Sequence, residues 1–419
     1  MSTSLEILKE RYLKNIKKDP ELYIGIELEF PIVNQNGGAT DVEVSKALLK
    51  QLSESSAFIV ERYDSDHYPI QLKSRATEDR ILFEVSYNTL EFAFEKCRKI
   101  QEVEVRFNKY METIQEFLRK HHHEIQGCGL HPFWYENDNS PVKYPRYEML
   151  INYLSLSEKL NEEQLHHFPK YGSFICGNQV QLDVSRDNYL EVINVFNQIE
   201  AAKAYLFANS SLTIQDLDSK ISRDIFWENS MHGILAENVG VNPHDFTTEE
   251  DFFDYLNKTA IFTAVRNGET LYFYPIAADS YLNHGEIKAY RLNGEQVILK
   301  PKEEDFQSHR SYQYQDLTTR GTVEFRSTCT QPLEKTFAPT AFHIGILMNL
   351  VKVKSYLKNC QFFKEEGRDY KKLRRKFSKT HLSKHENEEI KKFARNLLEL
   401  AIEGLKLRKE GEEKYLQTI

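Results

Sequence analysis

Between residues 24 and 33 apolar and polar positions alternate. Ile24, Ile26, Leu28 and Phe30 fall on one side of an extended chain, and Gly25, Glu27 and Glu29 on the other. Two later stretches repeat the pattern. In 173–184, Val180, Leu182 and Val184 oppose Gln179, Gln181 and Asp183; in 319–328, Arg320, Thr322, Glu324 and Arg326 share one face. Helical periods are predicted over 4–18, 41–56, 95–123, 146–154, 187–209 and 334–358. Residues 57–94 read as a run of strands, and 252–310 as short strands broken by turns such as Asn267-Gly268 and Asn293-Gly294.

Each polar row has an ordinary reading beside a functional one. Glu27 and Glu29 on one strand face place like charges roughly 7 Å apart, either on a solvated edge strand or in a polar cavity that holds a neutralising cation. Gln179 and Gln181 can satisfy each other or face carboxylates, and Glu324 with Arg326 can be a plain salt bridge. Glu84 and Glu91 lie an odd number of residues apart, so one unbroken strand would send them to opposite faces. A turn at Ser86-Tyr87-Asn88 resets the register and lets both face one way. His121-His122-His123 fan out around a helix and read as a solvated helix end, not a ligand set. The basic run Lys371-Lys372 and Arg374-Arg375-Lys376 reads as a solvated helical face.

Composition narrows the class. The 419 residues are 40% hydrophobic and 12% aromatic with a net charge of −8, which describes an ordered globular chain and argues against general nucleic-acid binding. Five scattered cysteines without Cys-x-x-Cys spacing point to a reduced, cytoplasmic setting with neither disulfide frame nor zinc cluster. No signal peptide or membrane span is expected. The expected organisation is one large domain, 1–358, followed by a helical, basic C-terminal extension, 359–419. If the polar rows meet on one concave face, at least five carboxylates share it with several arginines. That arrangement calls for hard divalent cations, Mg²⁺ or Mn²⁺, which in turn hold a polyphosphate. A P-loop is excluded, because no Gly-x-x-x-x-Gly-Lys is present.

The succession of motifs resembles the glutamate–cysteine ligase family, including its plant-type branch. The matching stretches are Gly25-Ile26-Glu27-Leu28-Glu29, Glu84 with Leu90-Glu91-Phe92, Arg146-Tyr147-Glu148 with Asn152-Tyr153, and Cys176-Gly177-Asn178-Gln179-Val180-Gln181-Leu182-Asp183. Leu206-Phe207-Ala208-Asn209-Ser210, Arg223 with Trp227, and Val323-Glu324-Phe325-Arg326 complete the order. The resemblance runs from about residue 23 to 350, leaving 1–20 and 360–419 outside it. It implies an α+β fold: a twisted, curled antiparallel sheet, a funnel flanked by helices, similar to the catalytic domain of glutamine synthetase.

On the matched positions the resemblance implies that Glu27, Glu29, Glu84, Glu91 and Glu324, with Gln179 where many members carry His, ligate two or three Mg²⁺ ions at ATP. Arg326, with Glu324, would be catalytic and stabilise the phosphoryl group in flight. Arg223, Arg146 and Trp227 would hold the amino-acid substrate, and Arg320, Arg326 and Gln181 the ATP, Arg320 from its strand face alone. The implied activity is ATP-dependent joining of the glutamate γ-carboxylate to the amine of cysteine, the first step toward glutathione, through a γ-glutamyl phosphate. A different amine acceptor and a non-catalytic binding protein of the same fold are the alternatives; for a metal-dependent hydrolase no nucleophile or base arrangement is found. Two departures bear on the acceptor. Val85-Ser86-Tyr87-Asn88 stands where the plant-type pattern has a glycine-rich turn, and 130–172 and 228–310 match poorly.

Overall fold

The alternating stretch at 24–33 forms the centre of the main sheet in the computed structural model, which describes residues 3–160, 165–214, 217–417 and 419. In chain order the strands of this sheet are β1 (Ile24–Asn34), β2 (Phe58–Tyr63), β3 (Pro69–Ser74), β4 (Arg80–Phe83), β5 (Thr89–Ala93), β6 (His123–Ile125), β7 (Gly177–Asp183), β8 (Gln315–Leu317) and β9 (Thr322–Cys329). Side by side they run β8-β9-β7-β1-β5-β4-β3-β2, every pair antiparallel, with β6 on the far end of β1. The sheet is open, and helices cover its apolar face, so the architecture is α+β as expected.

Period-two patterning decides which face is covered. Ile24, Ile26, Leu28 and Phe30 are each at most 1% exposed, and Phe30 stacks on Phe107 at 5.6 Å between ring centres. Phe107 lies on the helix Ile100–Lys120, whose buried positions Val103, Phe107, Met111 and Ile114 recur at helical spacing. The helix Ala338–Met348 is buried on nearly every side. The opposite face of the sheet carries Glu27, Glu29, Gln179 and Gln181. Over it lie the helices Pro145–Leu154 and Ser222–Glu228, the segment 303–314, and a small antiparallel sheet formed by Ala260–Arg266, Glu269–Ala277, Ile287–Tyr290 and Gln296–Leu299.

The Ser86–Asn88 turn is present and does what the spacing requires. Ser86 Oγ donates to the Ser173 carbonyl, β4 ends at Phe83, and Glu84 and Glu91 both reach the polar side. Several expected elements differ. The stretch 187–209 is two helices, Tyr189–Gln198 and Glu200–Phe207, and 334–358 breaks at Asn349 into Ala338–Met348 and Leu350–Asn359. Among the described residues no single helix is long and apolar enough to cross a membrane, and this apolar pair bends by 86°. His123 is not a solvated helix end: it lies in β6 at 3% exposure, and its Nε2 accepts from the Asp41 amide.

Residues 359–419 pack into the same hydrophobic cluster as the sheet, through Phe362, Tyr370, Leu373, Phe377, Phe393, Leu397 and Leu405. The basic run is correspondingly not a solvated face throughout. Arg374 is 2% exposed and grips Asp224 with both Nε (2.7 Å) and Nη2 (3.0 Å), while Nη1 meets Glu200. Charge counting along the chain cannot reveal this, because the partners lie far away in sequence.

Candidate active site

Strand register assembles the polar wall. Glu29 on β1 stands directly opposite Glu91 on β5. Glu27 stands opposite Gln179 on β7, Gln181 opposite Glu324 on β9, and Glu324 opposite Asp316 on β8. These residues, with Glu84, Arg146, Arg223, Trp227, Arg320 and Arg326, line one cavity of ≈ 690 Å³. That volume is in the range of small-molecule sites. Every residue singled out from the sequence for metal, substrate or nucleotide therefore meets in one place.

The amides bond carboxylates and not each other. Gln179 Nε2 donates to Glu29 Oε1 (3.0 Å) and Gln181 Nε2 to Glu27 Oε1 (3.2 Å). Glu29 also accepts from the Gly177 amide at 2.5 Å, and Glu84 from the Tyr147 hydroxyl at 2.8 Å. Arg326 Nη2 bridges Glu324 (3.2 Å) and Asp316 (3.3 Å), and its Nε is buried without a partner. Arg223, on Ser222–Glu228, is 5% exposed and donates to the Thr328 carbonyl at 3.0 Å. Gly177 makes room for it: a Cβ there would stand 2.5 Å from Arg223 Nη2 and 3.3 Å from Glu29 Oε2. Trp227 lies against Tyr312 with ring centres 5.0 Å apart. Arg146 is exposed to the cavity and has no hydrogen bond or ion pair among the described residues.

One assignment needs correction in its reason. Arg320 is not on a strand face: β9 begins at Thr322, and Arg320 sits in the turn closed by Gly321 at φ +83°. It reaches the wall from there, Nη2 donating to Gln181 Oε1 at 2.6 Å. Asp316 and Arg310 were not found by sequence reasoning. Asp316 lies on a three-residue strand, too short to show a period, and Arg310 on an irregular segment. Tyr147, inside the Arg146-Tyr147-Glu148 stretch, enters the site through its hydroxyl on Glu84.

Burial and mutual repulsion raise the carboxylates of the wall. Desolvation first, then the charge of Glu324, pushes Glu27 up to about 7. Desolvation pushes Glu29 to about 7 against the pull of Arg223, and Asp316 to about 6. Glu91, buried and facing Glu84, Glu27 and Glu29, is raised well above the usual carboxylate range. Among the described residues no three Asp, Glu, His or Cys groups are arranged to hold an ion as they stand. The donor chemistry nevertheless fits a hard divalent cation: carboxylate and amide oxygens face the cavity from β1, β5, β7 and β9, beside the Arg326 guanidinium, and two of the carboxylates oppose each other directly.

A pH dependence follows. The folded protein holds protons on Glu27 and Glu29 that the unfolded chain, with carboxylates near 4.5, has released. Their contribution to stability is full below 4.5 and is lost as pH rises through about 7. Added Mg²⁺ is expected to raise the thermal midpoint more at about pH 8 than at about pH 5, because it stabilises the ionised wall. Thermal unfolding at both pH values with and without Mg²⁺ reads this; an equal shift at both would contradict it.

The chain is similar to several known proteins. A family model described as glutamate–cysteine ligase family 2 (GCS2) matches residues 23–418. The chloroplastic glutamate–cysteine ligase of Nicotiana tabacum is 22% identical over 345 residues, 80% of this chain and 60% of that protein. A putative glutamate–cysteine ligase 2 of Citrobacter koseri is 28% identical over 110 residues, 26% of this chain and 24% of that one. The chain thus matches less than two thirds of the length of either relative. Among solved structures, a glutamate–cysteine ligase from Francisella tularensis in complex with AMP superposes with a TM-score of 0.43 at 13% identity, over 96% of this chain and 88% of that one. A bifunctional glutathione synthetase from Pasteurella multocida gives 0.42 at 12% identity, over 98% and 47%.

Proposed function

This chain belongs to the glutamate–cysteine ligase family 2, and on that premise we propose that it joins the γ-carboxylate of glutamate to the amine of cysteine, using ATP and forming a γ-glutamyl phosphate on the way. The observation that carries the reading is the register of β5, β1, β7 and β9, which sets acidic groups across neighbouring strands in one cavity and adds Arg326, Arg223 and Arg146 to it. A binding module has no use for a wall that costs so much to ionise.

Mg²⁺, held by Glu27, Glu29, Glu84, Glu91 and Glu324 with the amide oxygen of Gln179, would neutralise the wall and the nucleotide polyphosphate together. Arg223 and Arg146, near Trp227, bind and orient the amino-acid substrate by bidentate contacts to its carboxylate. A γ-carboxylate oxygen then attacks the γ-phosphorus; the O–P bond to ADP breaks as the new O–P bond forms. Arg326, backed by Glu324 and Asp316, offsets the charge gathered on the phosphoryl oxygens. The amine attacks the acyl carbon, phosphate leaves, and the amine proton is released. Positioning and charge account for most of the rate.

Phosphate release from Mg·ATP, followed with glutamate and a panel of single amines, tests the reading. Dependence on both glutamate and cysteine is expected. Another amine in place of cysteine would change the acceptor, release without any amine would indicate a hydrolase, and no turnover would indicate a binding protein. Gly177→Ala is expected to displace the Arg223 guanidinium and raise the glutamate KM by roughly tenfold or more, with the ATP KM little changed; equal effects on both would contradict the assignment of Arg223.

A further inference from the structure

A short segment ahead of residue 23, where the family match begins, grips two of the pieces of chain that carry arginines to the cavity. Arg11, on the helix Ser4–Leu13, donates from Nη1 to Gln307 Oε1 at 2.6 Å and from Nη2 to the Gln307 carbonyl at 2.7 Å. The Tyr12 hydroxyl lies 2.9 Å from His309 Nδ1, and the His309 Nε2 lies 2.8 Å from Thr259 Oγ1, so a ring 2% exposed is tied at both ends. Asn15 Nδ2 donates to the Thr319 carbonyl at 2.6 Å. Gly321 sits so near that a Cβ there would stand 2.5 Å from the Asn15 carbonyl oxygen.

The gripped residues flank two cations. Arg310 follows His309, and Arg320 lies between Thr319 and Gly321. Arg310 lines the cavity over the Tyr312 ring (5.2 Å) and has no hydrogen bond or ion pair among the described residues. Tyr312 first, then desolvation in the opposite sense, then Glu324, Asp316 and Glu27, act on its charge, and the net effect holds it in the charged form. It is held over the acidic end of the wall with its planar donors uncommitted, as an oxyanion with several acceptor oxygens requires. An arginine on an untethered loop would lose conformational freedom on binding; one whose neighbours are tied at His309 and Gln307 has less to lose.

We propose that Arg11, Tyr12 and Asn15 form a clasp that sets Arg310, together with Arg320, to bind the polyphosphate of the nucleotide. Arg310 is the residue that contacts the ligand, and the three clasp residues are positioning residues. The inference rests on the ATP-dependent reading above, and the test separates the two.

The full chain carrying Arg11→Ala, Arg310→Met, or both is titrated with Mg·ATP by calorimetry, and KM is measured for nucleotide and glutamate. Each single substitution is expected to weaken Mg·ATP binding by ~10-fold. The glutamate KM of Arg11→Ala stays at the parental value, and the double variant is no weaker than Arg310→Met alone, because one change acts through the other. Tyr12→Phe, which removes only the hydroxyl at His309, gives the same pattern and serves if Arg11→Ala does not fold. Parental Mg·ATP affinity in Arg310→Met, losses that add in the double variant, or a rise confined to the glutamate KM would each overturn the clasp while leaving the ligase reading intact. A parent protein that does not bind Mg·ATP would overturn both.

Discussion

Glu27→Gln is expected to lower turnover by ~10³-fold or more while leaving the protein folded and, above neutral pH, more stable. Glu27 sits at the middle of the wall, beside Glu324 and Glu29 and bonded to Gln181. Its substitution keeps the shape and the hydrogen bond but removes a charge that burial has already pushed up to about 7. Relief of that burial is worth up to roughly 3 kcal/mol when the group would be fully ionised. Activity and stability therefore move in opposite directions, which a residue serving only the fold would not do. Phosphate release and urea unfolding at about pH 8 measure the two sides. A variant that retains activity, or one that loses stability, would count against a charge-bearing role for Glu27.

Arg374→Met is expected to cost about 3–5 kcal/mol of folding stability, a large share of what holds a domain together. Arg374 is the cation between Glu200 and Asp224, both at most 4% exposed, and Nη2 also donates to the Ser327 carbonyl at 2.9 Å, next to Arg326. Removing it leaves Asp224 without its cation partner in the core and Glu200 with Lys203 alone, at 2.7 Å. Arg375→Met, two-fifths exposed at its side chain and paired with Glu228, is expected to cost at most about 1 kcal/mol. Urea midpoints of the two variants compare them directly; similar losses would mean that the buried network does not carry the load assigned to it.

The difference between these neighbours shows where sequence reasoning stops. Glu27, Glu29, Gln179 and Gln181 were legible because each stands in a strand long enough for alternation to show, and the back face of that strand is apolar. Glu84 and Glu91 were legible through the turn between them. Arg374 was not, because Arg374 and Arg375 look alike along the chain and only tertiary packing buries one of them against Asp224. Asp316, on a strand of three residues, and Arg310, on a segment with no period, carry no local signal; they enter the site through pairing with Glu324 and through the grip of Tyr12 and Arg11. The break at Asn349 has neither glycine nor proline to announce it, so an apolar run became one helix in place of two.

The most direct measurement uses glutamate labelled with ¹⁸O in its γ-carboxylate, incubated with the protein, Mg·ATP and cysteine. One labelled oxygen is expected in the released inorganic phosphate, since the carboxylate oxygen that attacks phosphorus departs with it. Unlabelled phosphate, alongside continued ATP consumption, would mean that no acyl phosphate forms and that the carboxylate-lined cavity does different chemistry.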